Sequence, residues 1–316
     1  MLTRRLILKR GAALALGALP LAGALAGCQN GSASPVEGRT IQVTATVGMV
    51  ADTVRRVGGD RVEVQALMGP GVDPHLYSPR QSDVQLLSGA DIIFYNGLLL
   101  EGKMVDLLVN LARKKPVVAV AESVDKGQLR EPPEFQGHYD PHIWFDVSLW
   151  SQTIDAVVDA LSELDPSSRS SYEANGEAYR GELQQLHEHC KTELATIPKE
   201  QRVLVTAHDA FGYFGRAYDV EVVGLQGMST VSEASLDKVN DLVNLLVQRR
   251  IPAVFVESSV PQQAIKAVVE GCRARGHTVK IGGTLYSDAM GEPGTPEGTY
   301  PGMVRHNVKT IVAALK

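Results

Sequence analysis

The sequence predicts an α/β protein of two doubly wound lobes with mostly parallel sheets, joined by one long helix. Three observations predict it. Short apolar runs rich in β-branched residues recur along the chain, most of them near-continuous rather than alternating, as suits strands covered on both faces. Helical patterns fill the gaps between them. One stretch, residues 166–198, breaks this rhythm with a helical stripe and no strand signal. The length of 316 residues with 44% hydrophobic content suits about two domains with ordinary cores.

The chain opens on an address rather than a fold. Arg4, Arg5, Lys9 and Arg10 precede an apolar run from Gly11 to Gly27, too short for a comfortable membrane span and interrupted by Pro20. That is the pattern of a signal peptide over residues 1–27. Leu25-Ala26-Gly27-Cys28 resembles a bacterial lipobox, which implies lipidation of Cys28 after cleavage. The Arg4-Arg5 pair also resembles a twin-arginine export signal, so both that route and the general secretory route stay open. Cleavage takes Lys plus Arg from 31 to 27 against 36 acidic residues, and the net charge from −5 to −9. Residues 28–40 are rich in Gly, Ser and Pro and read as a lipidated tether. With no basic excess, nucleic acid is not an expected partner.

The first lobe is expected over residues 41–165. Its strands are Ile41–Val47, Val62–Met68, Ile92–Tyr95 and Val117–Val120, with helical patterns at Met49–Val57 and Met104–Arg113. The linking helix follows at 166–198. Tyr172, Tyr179, Leu183, Leu186, Cys190 and Leu194 fall three, four or seven apart. Gly176 sits on that stripe and Gly181 beside it, each costing a helix about 1 kcal/mol relative to alanine. Pro198 ends it. The second lobe, 199–316, carries strands at Val203–Thr206, Glu221–Leu225, Ala253–Val256 and Thr278–Ile281, and helices at Leu236–Arg249 and Gln262–Arg275. Gly291–Met303 reads as a surface loop.

In doubly wound sheets, ligands bind beyond the carboxyl ends of the strands. His75 follows the second strand, within Gly71-Val72-Asp73-Pro74-His75. His142 lies in Asp140-Pro141-His142-Ile143-Trp144-Phe145. His208 follows the first strand of the second lobe, and Asp288 follows its last. Three imidazoles and a carboxylate are therefore expected to converge in the cleft between lobes. Such donors suit zinc and several other transition metals, and four protein ligands close a site as in binding rather than catalysis. Glu257 ends an apolar strand. It is either an acceptor for a ligand imidazole or a partner of a nearby helix terminus. His187 and His189 do not share a helical face and read as solvated. Cys190 and Cys272 either pair or, as we expect, stay as buried thiols. Trp144 and Phe145 are expected to pack beside the site.

These motifs carry a family resemblance. The stretch Gly71 to Asp83, with Asp140-Pro141-His142-Ile143-Trp144-Phe145-Asp146 and Ala207-His208-Asp209-Ala210-Phe211-Gly212-Tyr213-Phe214, resembles the metal motifs of the TroA-like (cluster 9) solute-binding lipoproteins of zinc and manganese ABC importers. Gly224 to Thr230, Phe255 to Ser259 and Gly282 to Gly291 extend the match over nearly the whole mature chain. The resemblance implies two lobes joined by a rigid helix, the metal between them, and His75, His142, His208 and Asp288 as ligands. It implies Zn2+ or Mn2+ as the bound substrate ion, no organic cofactor and no enzymatic activity. It implies a permease and its ATPase as partners, a monomer, and a site facing the periplasm or cell exterior. Several manganese members carry glutamate where this chain has His208, and imidazole is the softer donor, which tilts the expectation to zinc. Against that, the stretch 127–139 holds one histidine, His138, where zinc-dedicated members often carry a long His/Asp-rich loop. The rival readings are a zinc hydrolase, with Asp209 or Glu257 as base, and a surface adhesin.

Overall fold

The computed structural model describes residue 36 and residues 38–135 and 137–316. The signal peptide, Cys28 and most of the tether lie outside the described residues. The first sheet holds β1 (Ile41–Ala45), β2 (Val62–Ala66), β3 (Ile92–Tyr95) and β4 (Val117–Ala119), in the order β2-β1-β3-β4 and parallel throughout. β1 is central, and four of its five residues are buried. β2 is one edge strand, and its alternation of half-buried and exposed residues shows it. α1 (Gly48–Gly58), α2 (Gln81–Gly89) and α3 (Val105–Ala112) supply the crossovers. The short α4 (Val147–Trp150) and α5 (Thr153–Leu164) follow.

The linking helix is α6, Arg169–Leu194. It is shorter than the expected 166–198: Pro166–Ser168 is a 3-10 turn, and the helix stops four residues before Pro198. At about 1.5 Å per residue it is some 39 Å long. Its buried residues are the predicted stripe with Gly176 included. A Cβ at Gly176 would meet Val158 at 2.9 Å and Ile154 at 3.1 Å. The glycine lets α5 approach closely, which offsets its helical cost. Cys190 and Cys272 are buried free thiols. His187 is half-buried, its Nδ1 3.2 Å from the Tyr218 hydroxyl, rather than solvated.

Beyond α6 lie two parallel pairs, β5 (Val203–His208) with β6 (Glu221–Gln226), and β7 (Ala253–Glu257) with β8 (Lys280–Leu285). β5 and β7 lie side by side between them. α7 (Gly212–Tyr218), α8 (Leu236–Arg249), α9 (Gln263–Ala274) and α10 (Tyr300–Leu315) complete the chain. Gly282 and Gly283 lie inside β8 rather than after it. A Cβ at Gly282 would strike Ala314 and Phe255, and Gly283 has φ +150° with Thr310 against it. The bare backbone seats α10 on the strand. The expected loop 291–303 is shorter, because Thr299 caps α10 through Gly302 N and Pro301 occupies its first turn. Asp52 on α1 accepts from Tyr300 N at 3.1 Å and from the Tyr179 hydroxyl at 3.3 Å. That buried carboxylate joins α1, α6 and α10. Among the described residues no helix is long and apolar enough to cross a membrane.

Candidate metal centre

The parallel strands point their carboxyl ends at one place, and the four candidate side chains meet there. His75 lies nine residues beyond β2, after Pro74. His142 precedes a 3-10 turn, Ile143–Phe145. His208 is the last residue of β5, and Asp288 follows β8 by three residues. One donor atom from each of the four lies within 4.8 Å of every other. His75 Nε2 is 3.2 Å from His142 Nε2. Asp288 Oδ1 is 3.5 Å from His142 Nε2, and Oδ2 is 3.3 Å from His208 Nε2. All four residues are buried.

Each of two imidazoles is oriented from behind. His142 Nδ1 is 2.8 Å from Asp140 Oδ1, which also accepts the His142 backbone N–H at 3.0 Å. The other Asp140 oxygen binds Arg130. Arg130 fits because residue 212 is glycine: a Cβ there would occupy its guanidinium. His208 Nδ1 is 2.5 Å from Glu257 Oε2, and Glu257 Oε1 accepts the His208 N–H at 2.9 Å. With Nδ1–H donated backward, each ring presents the Nε2 lone pair to the cluster. Of the two readings left open for Glu257, the structure shows the acceptor for an imidazole. The parts of Asp140 and Arg130 are not read in the sequence, although Asp140 stands in the same Asp-Pro-His motif. Trp144 packs on His142 with ring centroids 5.2 Å apart, and its indole N–H donates to Ser287 O at 3.0 Å. This joins the His142 loop to the segment carrying Asp288.

The electrostatics show what the cluster lacks. Burial pushes the His75 imidazole down to about 3, with the neighbouring His142 and His208 adding to it against the Asp288 charge. Burial would also lower His208, but the carboxylates of Glu257 and Asp288 outweigh it and hold it well above its ordinary value. Asp288 is held well below the usual carboxylate range, against its burial, chiefly by His208. Both Asp288 oxygens and His208 Nε2 are buried without a hydrogen-bond partner among the described residues. Leaving such atoms unpaired costs about 1–3 kcal/mol each. A divalent cation satisfies all three together, and the donor set fits a borderline metal.

Comparison with known proteins gives a consistent picture. Residues 43–314 match the family model described as the zinc-uptake complex component A, periplasmic. The chain is 49% identical over 293 residues to the manganese-binding lipoprotein MntA of Bacillus subtilis, covering 93% of this chain and 95% of that one. It is 48% identical over 279 residues to the zinc-binding protein TroA of Treponema pallidum, covering 88% and 90%. The solved structure of the Treponema pallidum protein, described as a periplasmic zinc-binding protein, superposes with a TM-score of 0.85 over 87% of this chain and 99% of that one.

Proposed function

The chain belongs to the zinc-uptake component A family of periplasmic metal-binding proteins, and from that premise we propose that His75, His142, His208 and Asp288 hold its cargo. It is the extracytoplasmic substrate-binding component of a metal ABC importer and not an enzyme. It is an exported, lipid-anchored protein whose partner is an ABC permease. Its substrate is Zn2+ or Mn2+, with no organic cofactor.

The observation that carries the ligand assignment is the convergence of four donors within 4.8 Å, buried, with three of their atoms unpartnered. Binding follows from the geometry. Asp140 and Glu257 fix two rings in the tautomer that coordinates. The carboxylate of Asp288 supplies the anionic ligand. Four protein ligands complete the tetrahedral shell of a zinc ion and leave it no position for a reacting water. The three imidazoles favour zinc over manganese. Residues 41–165 and 199–316 act as the two lobes, with α6 and its flanking turns, residues 166–198, between them. Cys28 carries the lipid, the protein works as a monomer, and the permease passes the ion inward with its ATPase.

Elemental analysis of the protein purified without added metal, with zinc/manganese competition, tests this reading. One equivalent of zinc or manganese is expected in the parent chain and none in His208→Ala. Full occupancy of His208→Ala would refute the assignment. Cys28→Ser is expected to move the protein from the membrane fraction to the soluble one.

A further inference from the structure

Asp73 makes two hydrogen bonds at the mouth of the cluster. Its Oδ1 accepts the His75 backbone N–H at 2.8 Å, a local turn that fixes how His75 is presented. Its Oδ2 accepts the hydroxyl of Thr230, which belongs to the loop between β6 and α8. A residue of the second half of the chain thus holds the turn that carries a ligand of the first. That ligand is the most accessible one. His75 is 6% exposed, against 0% for His142 and His208 and 1% for Asp288. Asp140 backs the His142 ring and Glu257 the His208 ring. For His75 the support is the Asp73 turn.

Asp73 and Thr230 also line a groove of about 570 Å³. Leu76 and Val231 line it too, and they are 43% and 65% exposed. Val260, itself buried, also lines the groove, and Glu233 adds a second carboxylate. Exposed apolar side chains rimmed by polar groups are the pattern of an interaction site.

We propose that this groove receives the importer's permease, and that docking frees His75 by competing with Thr230 for Asp73. The proposal rests on the carrier function above. The occupant is an extracytoplasmic permease loop bearing an apolar side chain next to a cationic one. The apolar side chain matches Leu76, Val231 and Val260, and the cation matches Asp73 and Glu233. An arginine or lysine at Asp73 replaces a hydrogen bond from a neutral hydroxyl by one in which both partners are charged. The turn that presents His75 is then shared with the partner. Metal sites tolerate only small errors in ligand position, so the ion is loosened on its accessible side first. Away from the permease the latch stays shut and the cargo stays bound.

Zinc dissociation from the full chain into excess chelator, followed by stopped flow, tests the latch. Thr230→Val removes the hydroxyl at nearly constant volume. Zinc is expected to leave about tenfold faster, near the lower bound for a hydrogen bond to a charged group. Thr230→Ser keeps the hydroxyl and is expected to retain the parent rate. Val231→Asp tests the docking surface by placing a like charge among the groove's carboxylates. It is expected to bind and release zinc as the parent does, yet abolish radioactive zinc uptake in cells whose sole binding component is this chain. Unchanged dissociation in Thr230→Val, or an accelerated rate in Thr230→Ser, overturns the latch. Normal uptake with Val231→Asp overturns the docking surface. A parent chain that binds neither zinc nor manganese strikes the carrier reading instead, so the two failures are distinct.

Discussion

Glu257→Gln and Asp140→Asn remove the same charge from behind a ligand imidazole, and the structure predicts unequal results. Glu257 uses both oxygens on His208, one for the backbone N–H at 2.9 Å and one for Nδ1 at 2.5 Å. A glutamine has one acceptor and one donor group. Whichever way its amide turns, an NH2 faces a donor of His208, and one buried N–H goes unsatisfied. That costs about 1–3 kcal/mol, a loss of roughly 10- to 100-fold in metal affinity if it falls on the bound state. Asp140 uses a single oxygen, Oδ1, for both donors of His142, while Oδ2 faces Arg130. An asparagine keeps both His142 bonds and turns its NH2 toward Arg130. The Arg130 side chain is 27% exposed, so water can compensate for the lost partner. Asp140→Asn is therefore expected to weaken zinc binding by less than tenfold. Competition against a chelator of known affinity measures both, and circular dichroism verifies that each variant is folded. Equal losses, or a larger loss in Asp140→Asn, would refute the reasoning from oxygen count.

Three further expectations follow from the same geometry. His208→Glu replaces a softer donor by a harder one and is expected to lower the affinity for zinc relative to manganese; an unchanged ratio in calorimetric titration would count against this. Gly176→Val pushes a side chain into Val158 and Ile154, and overpacking of this kind is expected to cost about 1–3 kcal/mol in urea unfolding of the metal-free protein. Burial opposes ionisation of Asp165, but hydrogen bonds from Ser167, Arg61, Ser168 and Tyr172 outweigh it and hold its pKa well below the usual range. A depressed carboxylate stabilises the fold above its unfolded value and loses that contribution as the pH falls through it, so acid destabilisation below about pH 4 is expected to be shallower in Asp165→Asn than in the parent.

The fold and the candidate site were legible in the sequence to different depths, for one reason. A buried parallel strand is an apolar run, so β1, β3, β5 and β7 could be read from their own residues. The less buried strands are read less well: β8 shares only Lys280 and Ile281 with the expected Thr278–Ile281, because Gly282 and Gly283 look like a loop until α10 is laid on them. The four clustered side chains were legible because chain direction in a parallel sheet puts every strand's carboxyl end on one side, where polar residues beyond the strands can gather. Their supports were not. Arg130 reaches Asp140 through irregular chain containing a 3-10 turn, where no period relates neighbours. It also needs the space left by Gly212, which is more than eighty residues away in sequence. Gly176 makes the same point in the helix. Read within α6 alone it weakens the segment by about 1 kcal/mol. Read against Val158 and Ile154 it is the position at which α5 closes on α6. A residue's local cost is written in its own segment, while the contact that offsets it is written in another, and only folding brings the two together.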